Sequence, residues 1–333
     1  MEPKSVLKPL RIVIVGGTGH IGQLLAAHFH AQGQEVMVIA RHARPAAWPV
    51  IIWDGQSLGD WTRAVDDADI VINLAGRSVN CRYTDANRRE IKESRVRSTQ
   101  AIGRAIAQAS RPPDLWINAS TATIYRHALD RPMDEATGEL GGGERGAPST
   151  WRFSIDVATS WEQAFLSESV PATRKIALRS AMVMSPDRGG IFDTLRGLVM
   201  RRLGGRAGSG QQFVSWIHEL DFVNAVDFLI ARPAFTGCIN VCSPNPLPNR
   251  DFMAALRRAC GVRRGLPATK WMLELGAIFL RTETELILKS RWVVPRRLLE
   301  AGFKFRYPDW PEAAEDLARR WAHDGQLSMR GKL

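Results

Sequence analysis

Short apolar runs alternate with longer stretches of helical periodicity along the first 185 residues of this 333-residue chain. The runs are rich in β-branched residues and predict strands that are buried on both faces of a sheet. The stretches between them carry apolar residues at the spacing of amphipathic helices. This regular alternation predicts an α/β fold built on a doubly wound parallel sheet. The predicted strands are 11–15, 34–41, 50–54, 69–76, 115–121 and 175–179.

The pattern changes after residue 185. A predicted helix, a glycine-rich turn at 204–210 and a second helix precede a strand at 237–241, and prolines are frequent up to residue 311. We therefore expect a main domain over 10–185, to which 218–242 return, and a smaller C-terminal substrate lobe over 186–217 and 243–317. The lobe should cover the carboxyl ends of the strands, where open α/β folds bind ligands. We also predict a long loop or lid at 127–150, within the main domain, and disordered tails at 1–9 and 322–333.

The first apolar run ends at a cluster of glycines, where helical periodicity begins. Two glycine patterns overlap there, Gly17-x-Gly19-x-x-Gly22 and Gly16-x-x-Gly19-x-x-Gly22. Between a strand and a helix, such a loop holds a pyrophosphate on free backbone N–H groups at the positive end of the helix dipole. The sequence therefore predicts a Rossmann-like, nucleotide-binding domain. The loop residues expected at the cofactor are Gly16, Gly17, Thr18, Gly19, His20, Ile21 and Gly22.

The end of the second predicted strand indicates which dinucleotide is bound. An acidic residue there holds the ribose 2′-hydroxyl of NAD, whereas an arginine accommodates the 2′-phosphate of NADP. This chain has Arg41 and His42 at that place, and its nearest acid, Glu35, begins the strand. The pattern favours NADP. The alternative is that Arg41 is an ordinary surface arginine with no role in cofactor binding. Leu74, Ala75 and Gly76 end the fourth strand and should lie against the same cofactor.

A formal net charge of +11 raises the possibility of a nucleic-acid partner. The basic residues are spread as pairs over predicted helices and loops, so a solvated basic surface is the favoured interpretation. The four cysteines lack metal-ligand spacing and are expected to be reduced thiols, and no metal site is predicted. No apolar run reaches the length of a membrane span, and the first nine residues lack a signal-peptide core. We therefore expect a cytoplasmic protein.

Taken in order, these segments resemble the extended short-chain dehydrogenase/reductases. Within them, the chain is similar to the atypical epimerase-family branch, which is NAD-dependent epimerase/dehydratase-like and ends in a small domain of unknown function. The motifs that carry the resemblance are Asn73-Leu74-Ala75-Gly76, Ser94-Arg95, Trp161-Glu162, Ser215-Trp216-Ile217-His218 and Gly302-Phe303-x-Phe305. The resemblance implies NADP binding and a substrate that is not well established for the branch.

Further site residues follow from the resemblance by position. It implies pyrophosphate contacts from the glycine loop, 2′-phosphate contacts from Arg41 and His42, and adenine-ribose contacts from Leu74 to Gly76. It also implies that Val183 meets the nicotinamide and that Glu90 and Arg95 point at the cofactor. For these two charged residues, a solvated helix surface is the open alternative.

The family's usual proton-transfer pair, Tyr-x-x-x-Lys, is missing. If Glu162 is the acid that follows the pair, the tyrosine and lysine positions hold Ser154 and Ala158. Ser120 and Thr121 can still hydrogen-bond a carbonyl group, and Tyr125 or His218 is the expected replacement acid. We expect one pocket, which would also include the substrate contacts Gln211 and Trp216.

Two functions follow from the sequence. The first is an NADP-dependent oxidoreductase or epimerase acting on a small polar compound, for example a nucleotide sugar or a carbonyl compound. The second is a non-catalytic protein that binds NADP and signals its presence to a partner. Both predict a small-molecule ligand and neither a nucleic-acid nor a membrane partner, and a homodimer stays open.

Overall fold

The computed structural model describes residues 8–144, 148–269 and 285–330. Within these ranges the strands are β1 (Arg11–Val15), β2 (Glu35–Ala40), β3 (Val50–Ile52), β4 (Ile70–Asn73), β5 (Leu115–Thr121), β6 (Arg174–Ser180), β7 (Met182–Met184), β8 (Phe213–Val214), β9 (Trp216–His218), β10 (Gly237–Val241) and β11 (Leu247–Pro248). The helices are α1 (His20–Ala31), α2 (Thr62–Asp66), α3 (Asp85–Gln108), α4 (Ser149–Ser167), α5 (Ile191–Met200), α6 (Glu219–Ile230), α7 (Asn249–Ala259), α8 (Glu285–Leu288), α9 (Arg296–Glu300) and α10 (Trp310–Arg330). A short 3-10 helix, Ala122–Ile124, follows β5.

Seven strands form one parallel sheet in the spatial order β3-β2-β1-β4-β5-β6-β10. The predicted Rossmann-like α/β fold is thus confirmed. The chain reverses its direction of travel across the sheet between β1 and β4, so their carboxyl ends border a crevice. Open α/β folds bind ligands at such a switch point.

Both faces of the sheet are covered, which explains why its strands are apolar throughout. Ile12 and Ile14 of β1 pack in the cluster that contains Leu25 of α1, on one face. Val13 and Val15 pack in a second cluster with residues of α2, α3 and α4, on the other face. Successive side chains of a strand point to opposite faces, so a strand covered on both sides needs no polar alternation.

The smaller lobe has an apolar cluster of its own. Trp310 of α10 stacks on Phe252 of α7 at a centroid distance of 4.1 Å and meets Trp216 of β9 edge-on at 5.0 Å. β9 also pairs with β7, next to the end of β6. The lobe therefore packs directly against the carboxyl edge of the main sheet.

Two segments are more ordered than the sequence predicted. Residues 127–144 contain no helix or long strand, but the Met133 N–H donates to the Trp292 carbonyl oxygen at 2.7 Å, which attaches this loop to the C-terminal segment. Helix α10 continues to Arg330, although a disordered tail was predicted from residue 322. Its apolar face reaches Trp321, which packs on the lobe cluster. The predicted tail residues 1–7 and 331–333 lie outside the described residues.

Candidate functional site

The glycine loop joins β1 to α1 at the carboxyl edge of the sheet. Gly16 has a φ of 79°, in the left-handed region that favours glycine. A Cβ atom at Gly22 would lie 2.5 Å from the Gly17 Cα atom, so only glycine allows this close approach. Among the described side chains, none caps α1 at Gly19, which leaves the N–H groups of its first turn open to a ligand. These features fit a bound pyrophosphate.

A cavity of about 210 Å³ lies beside this loop. Its walls include Gly17 and Thr18 on one side and Arg44 and Trp48 on the other. The exposed residues Arg41 and His42 come directly after β2 and lead into this wall. The loop after β2 therefore brings Arg44 to the wall of a cavity that begins at the glycine loop.

The end of β4 packs against the glycine loop. A Cβ atom at Gly16 would lie 2.9 Å from the Ala75 nitrogen, so the two loops are in direct contact. Asn73 holds this end in place, since its Oδ1 atom accepts from the Ala75 N–H at 3.0 Å and its amide donates to Asn118 at 2.7 Å. Leu74 and Ala75 are half-buried and Gly76 is exposed. All three thus lie at the crevice predicted for the cofactor.

The remaining predicted cofactor residues lie in three different environments. Glu90 is exposed on α3 and pairs with Arg77. Arg95 lies against Gly76 and donates to the Arg77 and Ile91 carbonyl oxygens at 3.0 and 2.8 Å. Val183 is 5% exposed and belongs to the core cluster of the sheet. Their predicted roles stay predictions.

A buried polar chain runs beneath the ends of β5 and β6. Ser120 donates to Glu162 at 2.5 Å, and Arg179 makes two hydrogen bonds to the same carboxylate at 2.8 and 2.7 Å. Arg179 also donates to the Tyr125 hydroxyl at 2.9 Å, and that hydroxyl donates to Asn240 at 3.0 Å. Tyr125 is 2% exposed, and burial raises its pKa to about 12. In this arrangement its hydroxyl faces other buried groups of the protein.

Residues of the Ser-Trp-Ile-His motif lie in the lobe core. Trp216 and His218 are both 0% exposed. His218 accepts from the Leu220 N–H at 3.1 Å, which caps α6, and its Nε2 atom lies 3.2 Å from an Asp316 oxygen. Burial lowers the pKa of His218 to about 4, so it is neutral near pH 7. Gln211 is exposed in the preceding turn.

These positions correct the prediction of a single pocket. Tyr125 and Ser120 belong to the buried chain under the sheet edge, whereas Trp216 and His218 pack inside the lobe. Hydrophobic packing between α7, α10 and β9 draws the tryptophan inward, and helix capping does the same for the histidine. Thr121 keeps partial exposure at the end of β5 and accepts from the Thr123 N–H at 3.1 Å.

The sequence analysis missed a group of residues that we call the crevice cluster: Thr123, Ser154, Glu285, Lys289 and Arg291. Ser154 donates to Glu285, and an Arg291 nitrogen lies 3.6 Å from the other Glu285 oxygen. Arg291 donates to the Thr123 hydroxyl at 2.9 Å, and Lys289 donates to the Thr123 carbonyl oxygen at 2.7 Å. The C-terminal segment therefore brings charged groups to the position where the family's tyrosine was expected.

The lysine position is different. Ala158 is fully buried in an apolar cluster with Ile124 and Tyr125, so this place belongs to the core. The only signal of the crevice cluster in the sequence was Ser154 itself, because its partner Glu285 lies 131 residues away along the chain. Among the described residues, no group of three or more His, Cys, Asp or Glu side chains is arranged to hold a metal. Nor does any described helix have the length and apolarity of a membrane span.

Comparisons with known proteins extend this description. Residues 12–148 match the NAD dependent epimerase/dehydratase family, and residues 268–317 match a domain of unknown function, DUF1731. Epimerase family protein SDR39U1 of Bos taurus is 30% identical over 312 residues, which cover 92% of this chain and 99% of the relative. An epimerase family protein of Mycobacterium tuberculosis is 32% identical over 303 residues, 91% of this chain and 95% of the relative.

Solved structures show the same fold. The crystal structure of human SDR39U1 with NADPH has a TM-score of 0.81 and 27% identity, and covers 93% of this chain and 99% of its own. A UDP-N-acetylglucosamine 4-epimerase from Bacillus cereus has a TM-score of 0.71 at 17% identity, covering 94% of this chain and 99% of its own, and shows the fold alone. By its sequence relatives and its fold, the chain belongs to the NAD-dependent epimerase/dehydratase family, with a DUF1731 domain at its C-terminal end.

Proposed function

We propose that this protein binds NADP(H) in the crevice at the switch point. The observation that carries the proposal is the uncapped glycine loop beside a cavity walled by Arg44. Support comes from human SDR39U1, which was crystallised with NADPH. In this proposal the loop residues Thr18 to Gly22 contact the pyrophosphate, and Arg41 and His42 bind the 2′-phosphate. Leu74, Ala75 and Gly76 flank the adenosine side, and Val183 meets the nicotinamide.

We propose further that the protein is an oxidoreductase or epimerase for a small polar substrate, with a carbonyl compound or a nucleotide sugar as the candidates. The bound cofactor would supply or accept a hydride. Thr121 is partly exposed at the carboxyl end of β5 and would hydrogen-bond the reacting oxygen of the substrate. Ser120 and Tyr125 would act indirectly. Their hydrogen bonds to the buried Glu162 carboxylate and Arg179 guanidinium fix the end of β5. His218 has no part in this proposal, since it is buried and caps α6.

A specific observation supports a second function, a non-catalytic protein that responds to NADP. The usual tyrosine and lysine positions hold Ser154 and Ala158, and Tyr125 is enclosed by its partners. In this function a cofactor that bridges the glycine loop and the lobe would change the surface to which a partner protein binds.

The first experiment is a calorimetric titration of the purified chain with NADPH and NADH. We expect NADPH to bind at least about tenfold more tightly, because a charge-assisted contact to the 2′-phosphate contributes on the order of 1.5–3 kcal/mol. Equal affinities would contradict the choice of NADP. Turnover is then measured as the loss of NADPH absorbance during incubation with small carbonyl compounds, and this measurement distinguishes the two functions. Tight binding without any turnover over a broad panel would favour the non-catalytic function.

A further inference from the structure

Two arginine-rich segments of the lobe lie side by side in the fold, although they are distant along the chain. Residues 201–206 follow α5, and residues 263–266 come shortly after α7. The Leu266 N–H donates to the Arg202 carbonyl oxygen at 2.7 Å, and the Gly205 N–H donates to the Leu266 carbonyl oxygen at 3.1 Å. The two segments therefore form one surface, which we call the basic patch.

The basic patch carries positive charge that nearby acids do not balance. Its two segments contain five arginines and no acidic residue, and all five arginines are exposed. Within the described part of the chain, no carboxylate forms an ion pair with any of them. Arg201 donates to the Gly197 carbonyl oxygen at 3.1 Å. The four arginines whose side chains bond to no described residue are Arg202, Arg206, Arg263 and Arg264.

Two exposed leucines lie in the same patch. Leu203 is 47% exposed and Leu266 is 62% exposed, the largest fraction for a large apolar side chain among the described residues. Both lie next to the hydrogen bond that joins the two segments, because Leu203 follows Arg202 in the chain. A single exposed leucine is common on protein surfaces, whereas apolar side chains grouped within a polar rim are typical of an interaction site. The patch thus combines apolar side chains with positive charge.

The backbone of Arg202 has an unusual conformation. Its φ of 60° is the only positive value among the described residues other than glycine. Arg202 follows the C-cap residue of α5, a position at which helices commonly have a glycine. A non-glycine residue is strained there, and such strain is concentrated at functional sites. The chain therefore has a charged side chain at a position that local folding would give to glycine, which supports a functional role for the patch.

We propose that the basic patch attaches the protein to the surface of a membrane that contains anionic lipids. The arginines bind the lipid phosphates, and Leu203 and Leu266 enter the boundary between headgroups and acyl chains. A nucleic acid fits the patch less well, because its segments contain no aromatic ring on which a base could stack. The two leucines would also stay in water against a phosphate backbone. This partner differs from the sequence-based prediction of no membrane partner, because only the fold groups these arginines with exposed leucines.

The test is co-sedimentation of the full chain with vesicles of phosphatidylcholine alone and with vesicles that also contain phosphatidylglycerol. We expect binding to the anionic vesicles only, and we expect added salt to weaken it, because salt screens exposed charges. Each arginine near an anionic surface contributes a factor of about five to binding. The double variant Arg263→Gln/Arg264→Gln should therefore bind the anionic vesicles about 25-fold more weakly. If the wild type does not bind the anionic vesicles, or binds both kinds equally, the proposal is refuted.

Two further variants assign the binding to the patch. Leu266→Asn leaves the charge unchanged and should weaken vesicle binding at least about threefold, because an apolar side chain no longer enters the membrane. Arg89→Gln/Arg104→Gln is the matched control, since it removes two exposed arginines from α3, and it should change binding less than about threefold. Equal losses in the patch and control pairs would overturn the proposal. Unchanged vesicle binding in Leu266→Asn, with tight binding of a short DNA duplex that Arg263→Gln/Arg264→Gln loses, would assign the patch to a nucleic acid and also overturn it.

Discussion

We expect the buried side chain of Lys289 to make the stability of the protein depend on pH. It is 1% exposed and donates to the Thr123 carbonyl oxygen at 2.7 Å. Burial lowers its pKa from 10.5 to about 7, and the positive charge of Arg291 acts in the same direction. Glu285 and Glu144 oppose the shift only in part. The folded protein therefore releases a proton near pH 7 that the unfolded chain keeps until about pH 10.5.

The sign follows from proton binding. Between these two pKa values the unfolded state binds one more proton than the folded state, so stability rises with pH by about 1.4 kcal/mol per unit. Well below pH 7 the cost of burying the ammonium group is present in full. The folded group is still half protonated at pH 7, so from pH 7 to pH 9 the wild type should gain about 2 kcal/mol from this residue. Lys289→Met removes the proton site, and its stability should lack this increment.

The assay is urea denaturation of wild type and Lys289→Met at pH 7 and pH 9. The difference between the two free energies of unfolding should shift by about 2 kcal/mol in favour of the wild type as pH rises. The hydrogen bond lost in the variant contributes equally at both pH values, so comparing the wild-type-minus-variant differences at pH 7 and pH 9 cancels it. Lys92→Met is the control, because Lys92 is partly exposed and pairs with Asp156 at 2.8 Å. A pH-independent difference for Lys289→Met would refute the buried, destabilised ammonium.

Three further substitutions test the cofactor site and the buried chain. Arg41→Ala should weaken NADPH binding in calorimetry by about 10- to 100-fold and leave NADH unchanged, because only NADPH has the 2′-phosphate; equal losses for both would contradict this. Gly22→Ala should abolish detectable NADPH binding, since its Cβ atom would lie 2.5 Å from Gly17, whereas Gly59→Ala, with its nearest atom at 3.9 Å, should bind normally. Tyr125→Phe should lower the free energy of unfolding by about 1–3 kcal/mol, as two buried partners lose their hydrogen bond, while NADPH affinity stays constant. A large loss of NADPH affinity in that variant would show that the hydroxyl contributes to the cofactor site.

The fold could be predicted because its main determinants are local in the sequence. β1 was predicted at 11–15 and β5 at 115–121, and both have these bounds in the structure. Apolar runs and glycine turns encode such elements directly, and parallel order follows from their alternation with helices. The short strands β7, β8, β9 and β11, which pair outside the main sheet, were missed. The glycine loop was also evident, because its chemistry requires glycine at fixed spacing.

Tertiary structure alone decided which polar residues share a site. Sequence gives the type of a side chain but not its neighbours, so Tyr125 and His218 were reasonable candidate acids until their burial was known. The structure encloses both and instead assembles the crevice cluster from Thr123, Ser154 and a C-terminal segment more than 130 residues away. Long-range packing of the lobe on the sheet edge creates that arrangement. Burial then lowers the pKa of Lys289, and that property is not encoded in a local pattern.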